Sequence, residues 1–559
     1  MPSPILRTHP ETRKKANHVP DPLHLSRAAG VPAVPVAATR KARRSVRRAS
    51  AAALAASALA LVSGCLSVPP DARRAAGPDA TQLHLAPSIA LPDGAWPTEQ
   101  WWRAYGDPQL DELIARALDG NPSLATARAR VESARALAGA QRAAAGGSVD
   151  AVAGLNRQRY SANGFFPPPL GGAWYNDASV QLRASYDFDW WGKHRALVAA
   201  ALGEANARQA EGAQAAQALA ATVAQSYFRL QMLWARQDNL AAQAAVQRAL
   251  VADRQARMAH GLVGQDALQS AELALAELAQ QAARWERDAA REREALRALA
   301  AGAPIVERLA HAQPAPQDDT LPREPGLELL ARRPDLQAAR WRVESQLGRV
   351  TAAQAAFRPD LNLSAAIGLD SITLGTLLRY PSRTLLGGAL LDLPLFDSGR
   401  LQAQLGIERA ERETLVAEYN EAVVNALRDV AMEGATLQAI ARETQVHEAA
   451  ARSAAQLAAN AEARQARGLA DRAAVLQARQ EMLRQRDTDL QLLDARLQTQ
   501  VALVKALGGG YRAGAPAGAA PAHAGAGTAR ASSKAGAAQA ATYPNQAAAR
   551  LAAIPSSTR

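Results

Sequence analysis

Residues 180–190, VQLRASYDFDW, decide how the rest of this chain is read. Val180, Leu182, Ala184, Tyr186, Phe188 and Trp190 fall on one side of an extended chain, and Gln181, Arg183, Ser185, Asp187 and Asp189 on the other. Such period-two alternation predicts a strand with one apolar and one polar face. Just beyond it the period changes. Lys193 to Met258 runs 66 residues without a proline, which is about 100 Å of helix at 1.5 Å per residue. Ala216, Ala220, Val223, Tyr227, Leu230 and Trp234 step along it by alternate fours and threes, the spacing of a coiled-coil seam.

Working outward, the same order of elements comes twice. Asn121-Pro122-Ser123-Leu124 and Arg130-Val131-Glu132-Ser133 match Arg333-Pro334-Asp335-Leu336 and Arg342-Val343-Glu344-Ser345 at an offset of 212. Gly192-Lys193, Val223-Ala224, Leu230, Gly261-Leu262 and Ala295-Leu296 match Gly399-Arg400, Val430-Ala431, Leu437, Gly468-Leu469 and Ala502-Leu503 at an offset of 207. A constant offset over so long a stretch marks a tandem repeat. Each copy predicts a first helix (111–144 or 327–356) interrupted near its start by proline, then two strands. The second copy's alternation is Leu361, Leu363, Ala365, Ile367 and Leu369 against Asp360, Asn362, Ser364, Ala366 and Gly368. A long helix follows (193–258 or 400–467), then a glycine turn (261–264 or 468–471). In the second return helix Leu476, Leu483, Leu490, Leu497 and Val504 recur every seven residues.

The divisions that follow are 1–64, an N-terminal extension and leader; 65–106, an N-terminal segment; 107–302, repeat one; 303–325, a linker holding Pro304, Pro314, Pro316, Pro322 and Pro325; 326–510, repeat two; and 511–559, an Ala/Gly/Ser/Pro-rich tail read as disordered. The net charge of +12 in 559 residues belongs to the ends. Residues 1–64 carry eleven Lys/Arg against Glu11 and Asp21, and residues 511–559 carry five against no acid, so the body between is close to neutral. A nucleic-acid partner needs its basic surface on the folded part, and none is expected. Residues 40–48, RKARRSVRR, precede an apolar run from Ala49 to Val62, too short for a membrane-spanning helix and of the right length for a signal core. The run ends in Val62-Ser63-Gly64-Cys65, which resembles a bacterial lipobox. On that resemblance Cys65, the only cysteine, becomes the acylated N-terminus. Leu66 follows it rather than aspartate, the pattern of a lipoprotein passed on to the outer membrane.

Four strands in one chain leave two open edges. In lipid every backbone group needs a partner, so only a closed barrel is allowed. Closure must come from several chains, and three copies would supply twelve strands around a polar interior. Trp174, Trp190 and Trp191 stand at strand ends, where an interfacial aromatic girdle would sit.

At this point the chain resembles a known family. The lipobox at Cys65, Trp101-Trp102 through Tyr105-Gly106-Asp107-Pro108-Gln109-Leu110, Leu113-Ile114, Asn121-Pro122-Ser123-Leu124, Ala129 to Arg135, Phe357-Arg358-Pro359, Leu393 to Arg400 and Lys505 to Gly510 are together similar to the outer-membrane factors typified by TolC and OprM, in their NodT-type lipoprotein branch. The resemblance spans about residues 65–510. It implies a mainly helical chain with a membrane β-barrel: a homotrimer with a 12-stranded barrel in the outer membrane and an α-helical periplasmic tunnel. It implies a passive conduit that receives drugs or other small molecules from an inner-membrane pump, usually of the resistance-nodulation-division type, through a periplasmic adaptor.

On that reading Gly261, Leu262, Arg467, Gly468, Leu469, Asp471 and Arg472 form the periplasmic aperture and the adaptor-docking tips, and Arg183, Asp187 and Asp189 line the lumen. The family's aspartate inside the aperture falls on Gln477, which places an acidic ring there in doubt. An enzyme is not expected. His84, His194, His260, His311 and His447 have no metal-ligand spacing, no phosphate-binding GxxxxGK[ST] is present, and no cofactor is implied. Two other readings stay open. A periplasmic adaptor would have one hairpin flanked by β-rich domains, and a structural coiled-coil lipoprotein of the envelope would lack alternating strands.

Overall fold

The computed structural model describes residues 67–71, 89–323 and 325–512. Cys65 and the leader, and all of the tail beyond Arg512, lie outside these residues. The chain forms two units. Gly146–Lys193 with Thr351–Ile407 make a sheet unit, and the described residues within Arg73–Ala145, His194–Val350 and Glu408–Arg559 make a helical one.

The helical unit is built from matched halves. Repeat one contributes α1 (Pro108–Gly120), α2 (Pro122–Ala144), α3 (Lys193–Ala259) and α4 (Gln265–Leu299). Repeat two contributes α5 (Pro325–Arg332), α6 (Pro334–Ala355), α7 (Arg400–Ala466) and α8 (Arg472–Ala506). The long helices have 67 residues each and the return helices 35 each. The prolines set the starts. Pro108, Pro122 and Pro334 each open a helix, where a missing N–H costs nothing. Two expectations are corrected here. The first helix begins at Pro108 rather than Asp111, because the Asp107 side chain caps it by accepting from the Gln109 amide at 2.9 Å. Pro325 is not linker but the first residue of α5.

The break inside each first helix has a structural use. Asn121 ends α1 and caps α2, its Oδ1 accepting from the Ser123 amide at 2.9 Å, while its Nδ2 donates to the Leu299 carbonyl at 2.9 Å. Arg333, at the equivalent break, is held in a two-point contact with Asp335 (3.1 and 2.7 Å) and donates from Nη1 to the Ala506 carbonyl at 3.1 Å. Leu299 and Ala506 are the last residues of the two return helices. Both repeats therefore satisfy an otherwise orphaned helix-end carbonyl from the same place.

The seam residues form the core as the spacing requires. Val223, Tyr227 and Leu230 are fully buried together with Phe228 and Leu110, and their counterparts Val430 and Leu437 are buried with Leu329 and Leu336. Small residues bring α3 and α6 into near backbone contact. A Cβ on Gly348 would stand 2.8 Å from the Ala196 carbonyl oxygen and 3.0 Å from the Ala200 amide. Ser345 donates from Oγ to the Ala200 carbonyl at 2.7 Å. The linker, despite its prolines, is a fastened strap. Gln109 and Gln231 hydrogen-bond the backbone of Ala310 and Ala312, and His311 stacks on Trp234 at 4.7 Å.

The sheet unit is one antiparallel meander, β1 (Ser148–Arg159), β2 (Trp174–Phe188), β3 (Asp360–Ser371) and β4 (Arg383–Asp392), in spatial order β1-β2-β3-β4. Its hairpin turns, 160–173 and 372–382, lie at one end, and the connections to the helices leave from the other. Leu182 pairs with Ala151 and Ile367, and Ile367 with Leu385, so one apolar row crosses the sheet. β2 ends at Phe188, which leaves Asp189 and Trp190 off the strand. This corrects the longer run read from the alternation. The chain turns there, with the Trp190 amide bonded to the Phe188 carbonyl at 3.0 Å, before Gly192 at φ +75° starts the helix.

Candidate functional site

The two hairpin tips are the same structure made twice. In the first, the Gly261 amide bonds to the Met258 carbonyl at 2.9 Å and the Leu262 amide to the Arg257 carbonyl at 2.8 Å. In the second, the Gly468 amide bonds to Gln465 at 2.9 Å and the Leu469 amide to Arg464 at 2.8 Å. Gly261 and Gly468 sit at φ +68° and +74°, the left-handed position that ends a helix and that glycine alone takes without strain. The following leucines project outward, Leu262 71% and Leu469 67% exposed. Burial does not account for them, and each offers an apolar contact at the point of the turn.

The tips differ in charge. Asp471 caps α8 through Oδ1, accepting from the Ala474 amide at 2.8 Å, and its Oδ2 meets Arg257 Nη2 at 2.8 Å. Arg257 also meets Asp253, with its Nε 3.0 Å from Oδ2. One carboxylate therefore ties the end of α3 to the start of α8. The Ala474 amide first, and Arg257 second, hold the Asp471 carboxyl below the usual carboxylate range. The counterpart of Asp471 in repeat one is Gly264, which has no carboxylate to make the equivalent tie. Arg257 was missed from the sequence, although it is the residue whose carbonyl closes the first tip. Among the described residues neither Arg467 nor Arg472 forms an ion pair within the chain. Arg467 lines a groove with Leu457, Asn460, Arg464 and Glu481 on the second hairpin, while Gln477 is exposed.

The sheet is a second candidate site, and its register sorts the predicted residues. Arg183 lies on the polar face and donates to Gln181 Oε1 from Nε and Nη2 (3.3 and 3.2 Å). Asp187 shares that face and hydrogen-bonds Asn362 across the β2–β3 pair. Asp189 is brought to neither strand face. The opposite face carries Val149, Leu155, Leu182, Ile367 and Leu385, between 52% and 83% exposed. Every residue of β4 is exposed, and among the described residues no strand pairs with the outer edge of β1 or of β4. Tyr186 and Phe188 continue the apolar face toward Trp190 in a chain of ring contacts at 4.9 and 6.1 Å. Trp191 donates from Nε1 to the Pro359 carbonyl at 2.9 Å, under the Arg358 guanidinium.

An apolar sheet face open to solvent, two unpaired edges and duplicated long hairpins are what an envelope-spanning channel subunit needs. The profile of the family described as outer membrane efflux protein matches this chain twice, at residues 113–302 and 327–509. The chain belongs to the outer membrane efflux protein family. It is 40% identical over 466 residues to the multidrug resistance outer membrane protein MdtP of Escherichia coli strain K12, covering 81% of this chain and 95% of that protein. It is 35% identical over 456 residues to a putative multidrug resistance outer membrane protein, MdtQ of Shigella flexneri, covering 78% and 92%. Among solved structures it is similar to the outer membrane protein VceC of Vibrio cholerae, with a TM-score of 0.67 and 31% identity over 74% of this chain and all of that one. The Campylobacter jejuni outer membrane channel CmeC shares the fold at a TM-score of 0.70 and 21% identity, over 80% and 95%.

Among the described residues no group of three His, Cys, Asp or Glu side chains could hold a metal ion. No described helix is long and apolar enough to cross a membrane. The exposed apolar face is carried by the strands.

Proposed function

We propose that this chain is the outer-membrane channel of a tripartite efflux system, a passive conduit for drugs or other small molecules. The observation that carries the reading is the four-stranded sheet with one apolar exposed face and both edges free. Its strand directions alternate, so β4 of one chain can pair antiparallel with β1 of the next. Three chains then close a twelve-stranded barrel in which every edge is satisfied. The apolar face meets lipid, and Arg183 and Asp187 face the water-filled lumen.

The helical hairpins extend into the periplasm. Gly261, Leu262, Gly468 and Leu469 form the aperture, with the exposed leucines and Arg467 and Arg472 offered to a periplasmic adaptor. The Arg257–Asp471 pair holds the first hairpin to the second in the closed state. The inner-membrane pump is of the resistance-nodulation-division type, and it supplies the energy. Cys65, acylated after leader cleavage, adds a lipid anchor, since each buried CH₂ contributes about 0.8 kcal/mol. Multidrug resistance in the names of the similar proteins supports drugs as cargo.

The test is reconstitution of the purified protein in planar bilayers together with deletion of its gene. The reading expects single-channel conductance from trimers and increased susceptibility in a drug panel. Protein that neither conducts nor alters susceptibility, in a strain without a paralogous channel, would refute it. Replacing Cys65 with Ser should abolish acyl labelling. Labelling that persists would remove the lipid anchor from the account.

A further inference from the structure

The lipid-facing side of the sheet carries its cations at one end only. Arg157 and Arg159 near the end of β1 alternate in step with Leu155, and Arg383 at the start of β4 in step with Leu385. All three stand on the apolar face, just beyond the apolar band, at the hairpin-turn end. All three are exposed, and among the described residues none forms an ion pair. The acids at this level point the other way. Asp177 pairs with Asn156 and Asp370 with Ser179, all on the polar face. At the opposite end of the sheet Lys193 is paired with Asp360 at 3.4 Å.

Each cluster is backed by an aromatic ring. Arg157 lies over Trp174 at 5.5 Å and Arg383 over Tyr380 at 4.0 Å. Arg159 is fixed by donation from Nε to the Gly172 carbonyl at 3.3 Å. Stacking leaves the edges of the Arg157 and Arg383 guanidinium groups free to donate.

Within one chain Arg157 and Arg159 are on one edge strand and Arg383 on the other. Barrel closure changes this. Where β4 of one chain meets β1 of its neighbour, Arg383 comes to the same seam and the same height as the neighbour's Arg157 and Arg159. We propose that each of the three seams is a seat for the phosphate groups of a phosphorylated glycolipid of the outer leaflet. Its acyl chains would lie on the Leu155, Leu182 and Leu385 band, and its phosphates would accept from the three guanidinium groups. Planar guanidinium donors match phosphate oxygens two at a time. The level is set by the side chains' reach from the edge of the apolar band. This inference rests on the trimeric-barrel reading.

The experiment uses the purified full-length trimer in detergent. Native mass spectrometry would read its binding of diphosphoryl lipid A, of the same lipid with both phosphates removed, and of inorganic phosphate as a competitor. The expected result is up to three diphosphoryl lipids per trimer and much weaker binding of the dephosphorylated lipid. The triple variant Arg157→Gln, Arg159→Gln, Arg383→Gln should stay trimeric and conducting. Its affinity should fall about fivefold for each arginine removed. A control triple on exposed helix positions, Arg142→Gln, Arg284→Gln, Arg291→Gln, should bind as the unaltered trimer does. Equal binding of the two lipids, or undiminished binding by the sheet variant, overturns the seat while leaving the channel intact. Full displacement by inorganic phosphate shows a simple anion site and overturns the lipid assignment. A chain that remains monomeric removes the seam, and the channel reading and this proposal fall together.

Discussion

Asp494 is a carboxylate in an expensive place. Burial pushes its carboxyl above the usual range, and this outweighs the Gln498 hydrogen bond and the nearby Arg229 and Arg236. An acid that holds its proton more tightly in the folded state favours that state at low pH. The preference is lost as pH rises from the ordinary carboxylate value through the raised one. Asp494→Asn should therefore raise the melting temperature more at pH 8 than at pH 4, measured by thermal scans. An equal shift at both values would mean that the cost of ionisation is not felt there.

Asp471 works the opposite way. Its carboxyl is held low, so its contact with Arg257 is intact at neutral pH and weakens only as pH falls below the ordinary aspartate value of about 3.9. The pair is exposed, and such pairs are weak singly. Arg257→Ala should raise the open probability of reconstituted channels at neutral pH by about two- to fivefold, with the gain disappearing in strong acid. A variant that gates as the unaltered protein does would leave the pair a helix-end ornament. Sequence showed Asp471 but not its partner, because Arg257 lies in the other repeat and 214 positions away. Only the fold brings them together.

At the scale of elements, the helices were legible and half of the strands were not. The reading places the ends of α3 and α7 within a residue of where they lie, and the seven-residue spacing from Leu476 to Val504 falls inside α8, because a helix that buries one stripe must repeat it. β2 and β3 alternate clearly. β4, RTLLGGALLD, carries Leu385 on one face and Leu386 and Leu390 on the other, and Gly387-Gly388 erase the pattern at its centre. β1 has Val152 on the polar face, and on the apolar one Val149 and Leu155 are separated by Ala151 and Ala153 and followed by Arg157 and Arg159. Their existence followed from the hairpin each repeat required, not from their own residues.

The contact between α3 and α6 was invisible for a different reason. Glycine and alanine say that helices can approach, and not which ones do. Gly348→Ala places a methyl group against the Ala196 carbonyl, which must move away. Overpacking of this kind costs about 1–3 kcal/mol. Chemical denaturation should show that loss. Gly139→Ala, with nothing within 4 Å of the added methyl, should be neutral or stabilising. A neutral Gly348→Ala would mean that the helices are less closely pressed than described.

For the whole molecule the tandem repeat does two kinds of work. It doubles a hairpin, with long helices of 67 residues and return helices of 35 in both copies, and it doubles a ribbon pair that has no use alone. The helical half satisfies itself: Asn121 and Arg333 fasten equivalent helix ends, and each long helix buries its own seam. The sheet does not. Among the described residues β1 and β4 leave backbone donors and acceptors unpaired on their outer edges, and the apolar face is open. The incompleteness is the functional content of the chain, since a subunit that finished its own sheet would have no interior to share. Charge belongs to the same scale. The +12 of the whole chain arises outside residues 65–510, so it says nothing of the helices and strands described above.

The most direct measurement asks whether the edge of β4 meets the edge of β1 in a sister chain. In a Cys65→Ser background, Ala153→Cys on β1 and Gly387→Cys on β4 put one thiol near the middle of each edge strand, both on the apolar face. A short bismaleimide added to outer membranes should give a ladder of one, two and three linked chains and nothing larger. Chains that link only within themselves, or remain unlinked while both thiols are shown to react, would contradict closure of the barrel by three copies.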